Sequence, residues 1–421
     1  MSLIVQKFGG SLLGSAEKIL QIAEKIFETY HKGNDIVVIV SAMGDETDRL
    51  IKLARSVSNK PCNREYDALV SSGEQVSSAL LSMALIDLGC PACSYLGWQI
   101  GIKTNSNNKS AEIIQIDNTL LKSNIATRRI SIIAGFQGID EKNNITTLGR
   151  GGSDATAVAI ASSLNADICQ IYKDVDGVYT ADPQLVNNAY KFSQISYNQM
   201  LELAYAGAQV MQSYAVEIAK KYSIKLYVAL GSNDKYTGTL ISSNPHHLYN
   251  TRLLGITVYQ NNSLFSIEYS LNHATFLHKL FNDLRQKEIE FFIFENNITQ
   301  IGQSGTLIFT VNNNNYEASL ECVNNYRENL VNIKVNENIS VINFVKIKKE
   351  YLTSLLSSIK NILTKENIEV FYLKANVRLT TVVVNQGTLK NIINIFCNEF
   401  GLTDKTNIRY FDKSGPNPTL G

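Results

Sequence analysis

The stretch LIVQKFGGS at residues 3–11 decides how the first half of the chain is read. Leu3–Phe8 is a short apolar strand that runs directly into Gly9, Gly10 and Ser11. Beyond it, Ala16–Tyr30 carries Ile19, Ile22, Ala23, Ile26 and Phe27 at helical spacing, so strand, glycine turn and helix follow one another. Working outward, Asp35–Ser41 (DIVVIVS) is apolar on both faces, as a strand buried between helix layers must be. Val70–Leu88 is a long helical stretch, and Arg129–Phe136 and Asp167–Tyr172 are further buried-strand candidates. Asn143–Asn144 lies in a polar turn between Gly138 and the Thr146–Thr147 segment, which predicts a hairpin. This alternation, from residue 1 to about 245, predicts an α/β domain whose mostly parallel sheet is sandwiched by helices.

Composition shifts around Ser242–Asn250, after which Asn and Ile become frequent and Gly thins. Two shorter units follow. The first, 250–315, has strands over Leu254–Tyr259 and Leu264–Tyr269, a helix over Ala274–Gln286, and strands near Glu290–Glu295 and Thr306–Val311. The second, 330–410, has Ile339–Val345, a helix over Tyr351–Glu366, strands near Ile368–Tyr372 and Arg378–Asn385, and a helix over Leu389–Phe400. Both read βαββ, a structural repeat without a sequence repeat. The Pro- and Gly-rich tail Asp412–Gly421 is expected to be mobile.

The whole-chain numbers exclude several classes. The 421 residues hold 39 Lys+Arg against 38 Asp+Glu, a net charge of +1, which offers no electrostatic footprint for a phosphate backbone. No nucleic-acid partner is therefore expected. No run of about 18 apolar residues predicts a membrane span, and the opening MSLIVQKFGG lacks the form of a secretory signal. Six cysteines are too few for a disulfide framework. A cytoplasmic, multidomain globular protein is expected, with no membrane partner.

Four motifs carry chemistry. Gly149-Arg150-Gly151-Gly152-Ser153-Asp154 stands directly before the small-residue helical run Ala155–Leu164. Glycines in front of a helix let backbone N–H groups approach an anion, and the helix N-terminus favours negative charge. Ser153 or Asp154 would cap that helix, but a cap alone needs neither three glycines nor an arginine. Lys7-Phe8-Gly9-Gly10-Ser11 puts a lysine at a strand end beside a turn whose N–H groups suit phosphate oxygens, without the spacing of a P-loop. Ser71-Ser72-Gly73-Glu74 opens the helix continuing to Leu85, with Glu74 in the first turn. Tyr172–Pro183 (YKDVDGVYTADP) follows a buried strand, and loops after parallel strands are where α/β sheets bind ligands. Cys90-Pro91-Ala92-Cys93 has no second pair for zinc, and the histidines lack companions at ligand spacing, so no metal site is expected.

Taken in order, KFGGS, SAMGDETDRL, SSGEQVSSALL, GWQIGIKT, AGFQGID, TTLGRGGSDATA and DVDGVYTADP resemble the aspartate kinases across residues 1 to about 242. The resemblance implies a three-layer α/β/α amino-acid-kinase sandwich followed by two small α+β ACT-like units. It also implies MgATP as phosphoryl donor and L-aspartate as acceptor, the first step towards lysine and diaminopimelate, threonine and methionine. Carried over, Lys7 and Asp154 would be catalytic, Lys7 neutralising the transferring phosphoryl group and Asp154 orienting that lysine or the metal. Ser41, Thr47, Glu74, Arg150 and Ser153 would hold aspartate, Arg150 clamping the α-carboxylate and Glu74 receiving the α-ammonium. Lys7, Gly9, Gly10, Ser11, Lys173, Asp174, Tyr179, Asp182 and Pro183 would surround the nucleotide. A homodimer through the ACT-like units is implied, with lysine or threonine as effector near Asn272 and Asn297.

This chain departs from the family pattern in places. Lys173 stands where Thr is usual, Gln184 where Arg is usual, and Gly207–Ser213 (GAQVMQS) replaces GAKVLHP, so a nucleotide-side lysine has become Gln209. The first turns of the ACT-like units, Ser270–Ala274 and Lys346–Glu350, have no glycine. Alternatives are a weakened paralogue serving as an amino-acid-sensing or partner subunit, and a related kinase for another small amino acid.

Overall fold

The computed structural model describes residues 1–231, 238–243, 253–270, 275–299, 304–346 and 349–403. They form two compact units. Unit 1 holds Met1–Tyr179 and, of the described residues, 191–243; unit 2 holds Thr180–Tyr190 and, of the described residues, 253–403.

In unit 1, β1 (Leu3–Phe8) turns through Gly10–Leu13 into α1 (Ala16–His31), β2 (Asp35–Val40), α2 (Glu46–Val57), α3 (Asn63–Val70) and α4 (Ser72–Asp87). Next come β3 (Ala92–Tyr95), β4 (Ile102–Thr104), β5 (Ile113–Ile116), α5 (Thr119–Ala126), β6 (Ile130–Ala134), β7 (Gln137–Ile139) and β8 (Ile145–Thr147). The unit ends with α6 (Gly152–Leu164), β9 (Ile168–Lys173), β10 (Gln194–Ser196), α7 (Tyr197–Tyr205), α8 (Ser213–Tyr222), β11 (Leu226–Leu230) and β12 (Thr239–Ser242). Eight strands make the main sheet in the order β10-β12-β11-β9-β1-β2-β6-β3, parallel except where β11 meets β12. β1 lies between β2 and β9, and Lys7 sits opposite Ile39 on one side and Ile171 on the other. A second sheet, β5-β4-β7-β8, includes the β7–β8 hairpin. Its turn is held by Asp140, whose Oδ1 accepts the Lys142 and Asn144 N–H groups at 2.9 and 2.8 Å.

Both-face burial explains why β2 and β6 are mostly apolar: Val38, Val40 and Ile132 pack with the buried faces of α1 and α4, and Val37, Ile39, Ile133 and Ala134 are also closed from solvent. The helical run Asn63–Asp87, whose most apolar 18 residues have a mean hydropathy of 1.2, is by length and composition long enough to cross a membrane. Its Asp67, Glu74, Ser77, Leu81 and Leu85 are buried against the protein, as in the core helix of a folded unit.

Unit 2 is built on one antiparallel sheet of six strands, β14-β15-β13-β16-β18-β17. These are β13 (Leu253–Ser270), β14 (Phe291–Thr299), β15 (Ser304–Asn312), β16 (Leu330–Lys346), β17 (Val370–Ala375) and β18 (Leu379–Asn385). Its helices are α9 (Phe276–Gln286), α10 (Tyr316–Asn324), α11 (Leu352–Lys365) and α12 (Leu389–Glu399). The two expected βαββ units share this sheet through the long pair β13 and β16. The two strands expected over Leu254–Tyr259 and Leu264–Tyr269 are a single irregular strand, and α10 falls where no helix was expected. The Thr180–Tyr190 segment is fastened within the unit: the Ile256 N–H donates to Thr180 O at 2.7 Å, and Thr180 Oγ1 donates to Leu402 O at 2.7 Å. The tail Asp412–Gly421 lies outside the described residues.

Candidate active site

The site of unit 1 forms where β1, β9 and the start of α6 meet. Lys7, near the end of β1, is buried, and its Nζ lies 2.7 Å from Asp154 Oδ1. Lys173, the last residue of β9, brings its Nζ within 2.9 Å of Asp154 Oδ2. One buried carboxylate is thus shared by two ammonium groups. Burial alone would push the Asp154 carboxyl up, but Lys7 and then Lys173 outweigh it and hold it at about 2. Burial and the neighbouring Lys173 lower the Lys7 ammonium, against the pull of Asp154.

Asp154 reaches these lysines because α6 begins two to three residues earlier than a cap at Ser153 or Asp154 would allow. The N-cap is Gly151, at φ +67°, and no side chain caps the helix. The expectation that Ser153 or Asp154 caps is therefore corrected: both lie in the first turn, and the Asp154 carboxylate is taken by the lysines. Gly151 has no room for a side chain, since a Cβ there would lie 2.0 Å from Gln212 Cγ. Ser153 packs against Gly135, where an added Cβ would stand 2.8 Å from the Ser153 Cβ. Arg150 is exposed in the turn just before α6.

The glycine turn after β1 is equally tight. The Gly9 N–H donates to Tyr172 O at 3.1 Å, and a Cβ on Gly10 would stand 2.6 Å from Ala42 O. Ser11 is exposed in the short 3-10 turn. Ala42 connects this turn to the opening of α4, because its N–H donates to Glu74 Oε1 at 3.1 Å. Glu74 is 3% exposed, and its Oε2 is buried without a hydrogen-bond partner. Burial pushes the Glu74 carboxyl up to about 7, against the opposing Ala42 N–H and Lys7. Ser41 and Thr47 are partly buried on either side of this contact, Ser41 just after β2 and Thr47 in the first turn of α2.

The Asp174–Tyr179 loop is cross-linked within unit 1. Tyr179 OH donates to Asp176 Oδ1 at 2.7 Å, and Lys191 Nζ donates to Asp176 Oδ2 at 2.8 Å. Asp174 is exposed. Asp182 and Pro183 belong to unit 2, where Asp182 Oδ1 accepts the Gln184 N–H at 2.9 Å, whereas the cluster described here is that of unit 1. Asn297 is exposed on β14 of unit 2; Asn272 lies outside the described residues, as do Ile347 and Lys348 of the second glycine-free turn. No group of three or more His, Cys, Asp or Glu able to hold a metal occurs among the described residues. Sequence reasoning missed the Ala42 N–H, a backbone donor with no signature, and the buried Asp67 of α3.

The amino acid kinase family profile matches residues 2–230. An aspartate kinase of Stutzerimonas stutzeri is 39% identical over 393 residues, covering 93% of this chain and 95% of the relative. The aspartokinase of Pseudomonas aeruginosa is 38% identical over 397 residues, again covering 93% and 95%. The chain belongs to the aspartate kinases, ATP-dependent enzymes of the amino acid kinase family. Among solved structures, E. coli aspartokinase III in complex with aspartate and ADP superposes with a TM-score of 0.74 at 19% identity, over 95% of this chain and 100% of that one. That likeness bears on the fold, which is shared along both units. An aspartate kinase from Synechocystis matches with a TM-score of 0.54 and 32% identity, over 98% of this chain and 71% of that one.

Proposed function

We propose that this chain transfers the γ-phosphoryl group of ATP to the β-carboxylate of L-aspartate, giving 4-phospho-L-aspartate and ADP. A β-carboxylate oxygen forms the new bond to the γ-phosphorus as the bond to the ADP oxygen breaks. Such a transfer needs alignment and charge stabilisation more than covalent chemistry. Lys7 Nζ meets the charge on the transferring phosphoryl group, and Asp154 holds that ammonium in place. Lys173 adds a second cation through the same carboxylate, beside the Gly9–Gly10 turn where the phosphates rest. Ser11, Asp174 and Tyr179 border that nucleotide side; Asp182 and Pro183, which the family resemblance adds to the nucleotide-binding set, lie in unit 2.

The observation that carries the aspartate assignment is Glu74 Oε2, a buried carboxylate oxygen with no partner. An isolated buried acceptor is costly, and the α-ammonium of aspartate satisfies it. Arg150 takes the α-carboxylate, with Ser41, Thr47 and Ser153 lining the remainder. Magnesium fits this site as an ion bound mainly through the nucleotide's phosphates: both Asp154 oxygens are engaged by lysines, and no carboxylate cage stands nearby among the described residues. When bound it neutralises phosphate charge.

In unit 2, the edge strand β14 exposes Phe292, Ile293 and Ile298 along a backbone edge suited to pairing with a second copy as a homodimer. Asn297 on the same strand is a candidate contact for a lysine or threonine effector.

A hydroxamate assay tests the reaction: protein, MgATP, L-aspartate and hydroxylamine, which traps an acyl phosphate. Signal that needs aspartate, and is absent with glutamate, is expected. Silence from folded protein would favour a sensing or partner subunit, a reading motivated by Gln184 and Gln209 where the family carries cations.

A further inference from the structure

α3 and α4 are nearly one helix, interrupted at Ser71. Asp67, Ser71 and Glu74 recur at i, i+4 and i+7 and so share a face. They are 0, 4 and 3% exposed. Glu74 serves the aspartate pocket in the reading above, on which this inference rests; Asp67 has no part in it. Yet the Asp67 carboxylate accepts four donors, all from outside its own helix. Asn108 Nδ2 donates to Oδ2 at 2.8 Å, and the Lys109 N–H lies 3.1 Å from both oxygens. The Thr147 N–H donates to Oδ2 at 3.0 Å and Thr147 Oγ1 donates to Oδ1 at 2.8 Å.

These donors bracket one feature. Thr147 ends β8, three residues before Arg150. The Lys109 carbonyl lies so close to Gly149 that a Cβ there would stand 2.9 Å from it. The Ala111 N–H closes the arrangement by donating to Thr147 O at 2.9 Å. A carboxylate is an expensive group to bury where an apolar side chain would pack as well, but it fixes directions that an apolar contact leaves loose.

We infer that Asp67 is a positioning residue for the aspartate pocket, fixing the Gly149–Arg150 turn against the helix that carries Glu74. Aspartate is held at both ends only if the spacing between carboxylate clamp and ammonium acceptor is right. A misplacement of about 1 Å can cost on the order of a hundredfold in such a site.

The test uses the full-length chain and the hydroxamate assay, with KM measured separately for aspartate and ATP. Succinate, which lacks the ammonium, serves as a competitive probe. Asp67→Asn places an NH2 group against donors, and Thr147→Val removes the Oγ1 donor while leaving the N–H. Both should raise the aspartate KM, Asp67→Asn by about tenfold, with the ATP KM moving less than about twofold. Both should also narrow the preference for aspartate over succinate, which a general loosening of the fold would not do. Asp140→Asn, altering a comparably bonded carboxylate in the β7–β8 turn, should lower Tm and leave the aspartate KM unchanged. If Asp67→Asn does not fold, Thr147→Val decides. Folded variants with unchanged aspartate KM and selectivity, or with both KM values rising in parallel, overturn the inference. Unchanged aspartate KM in Glu74→Gln and Arg150→Lys would instead overturn the pocket itself, and this inference with it.

Discussion

Aspartate should bind about tenfold more tightly near pH 8 than near pH 6, because Glu74 changes charge between them. Burial raises its carboxyl to about 7, while the Ala42 N–H and Lys7 pull the other way without prevailing. In the empty protein Glu74 is therefore roughly one-tenth ionised near pH 6 and nine-tenths ionised near pH 8. Only the ionised form attracts an ammonium, and apparent affinity scales with the competent fraction, which gives a change of about tenfold. Calorimetric titration of L-aspartate into nucleotide-free protein at about pH 6, 7 and 8 measures this without interference from ATP's own titration. Glu74→Gln should bind weakly at every pH and show no slope. A flat profile in the unaltered chain, or a slope that survives in Glu74→Gln, refutes the reasoning.

The same shift has a stability consequence with a fixed sign. The folded carboxyl lies above its ordinary value, so protonation favours the folded, empty state. That contribution is fully present below about pH 4.5 and is lost as pH rises through about 7. Its size is on the order of 3 kcal/mol by linkage. The Tm of the empty chain should fall across this window relative to Glu74→Gln, and saturating aspartate should restore it at the alkaline end.

Three substitutions test the remaining roles. Lys7→Ala should lower kcat by at least about a thousandfold with the circular dichroism spectrum retained, since Lys173 still pairs with Asp154; substantial turnover would remove Lys7 from the reaction. Arg150→Lys should raise the aspartate KM by about tenfold or more while the ATP KM stays level, because an ammonium cannot make the bidentate contact. Lys173→Thr should raise the ATP KM roughly ten- to a hundredfold with little change for aspartate, in keeping with loss of one charged contact worth about 1.5–3 kcal/mol; an unchanged ATP KM would leave Lys173 as a structural partner of Asp154 alone.

Much of unit 1 was legible because its signals are local. DIVVIVS could only be a strand covered on both faces, and the Asn143–Asn144 turn named its own hairpin. Lys7, Glu74 and Asp154 were visible as residues beside glycine turns or in helix first turns. Their relations were not, because the contacts span 147 residues for Lys7 and Asp154 and 32 for Glu74 and Ala42. The cap at Ser153 or Asp154 was misread for a related reason: a first-turn Asp looks the same in sequence whether it meets its own backbone or two distant lysines. In unit 2 the periodicity showed strands and helices but could not show that β13 and β16 run long enough to join two repeats into one sheet. The Thr180–Tyr190 segment reads as part of the loop that begins at Lys173, and nothing local signals that its hydrogen bonds lie with Ile256 and Leu402.

The geometry also bears on how this chain tolerates its departures from the family pattern. A phosphate site needs positive charge close to where the oxygens rest, and Gln209 supplies none. Asp154 carries one negative charge between two lysines, so the cluster retains a net positive charge after its internal pairing. Thr at 173 would leave Lys7 and Asp154 as a closed, neutral pair. In the proposed reading the lysine at 173 does more than add a contact: it lets Asp154 hold Lys7 in position while a positive charge remains for the phosphates. Because Lys173 is the end of β9 and Lys7 sits in the adjacent β1, the sheet register itself sets their separation. In that reading the charge missing at Gln209 is restored from a strand end, where the backbone fixes its position. On this argument the substitutions at 173 and 209 form one compensated pair, and an aspartate kinase with an altered nucleotide side follows from them more directly than a dead one.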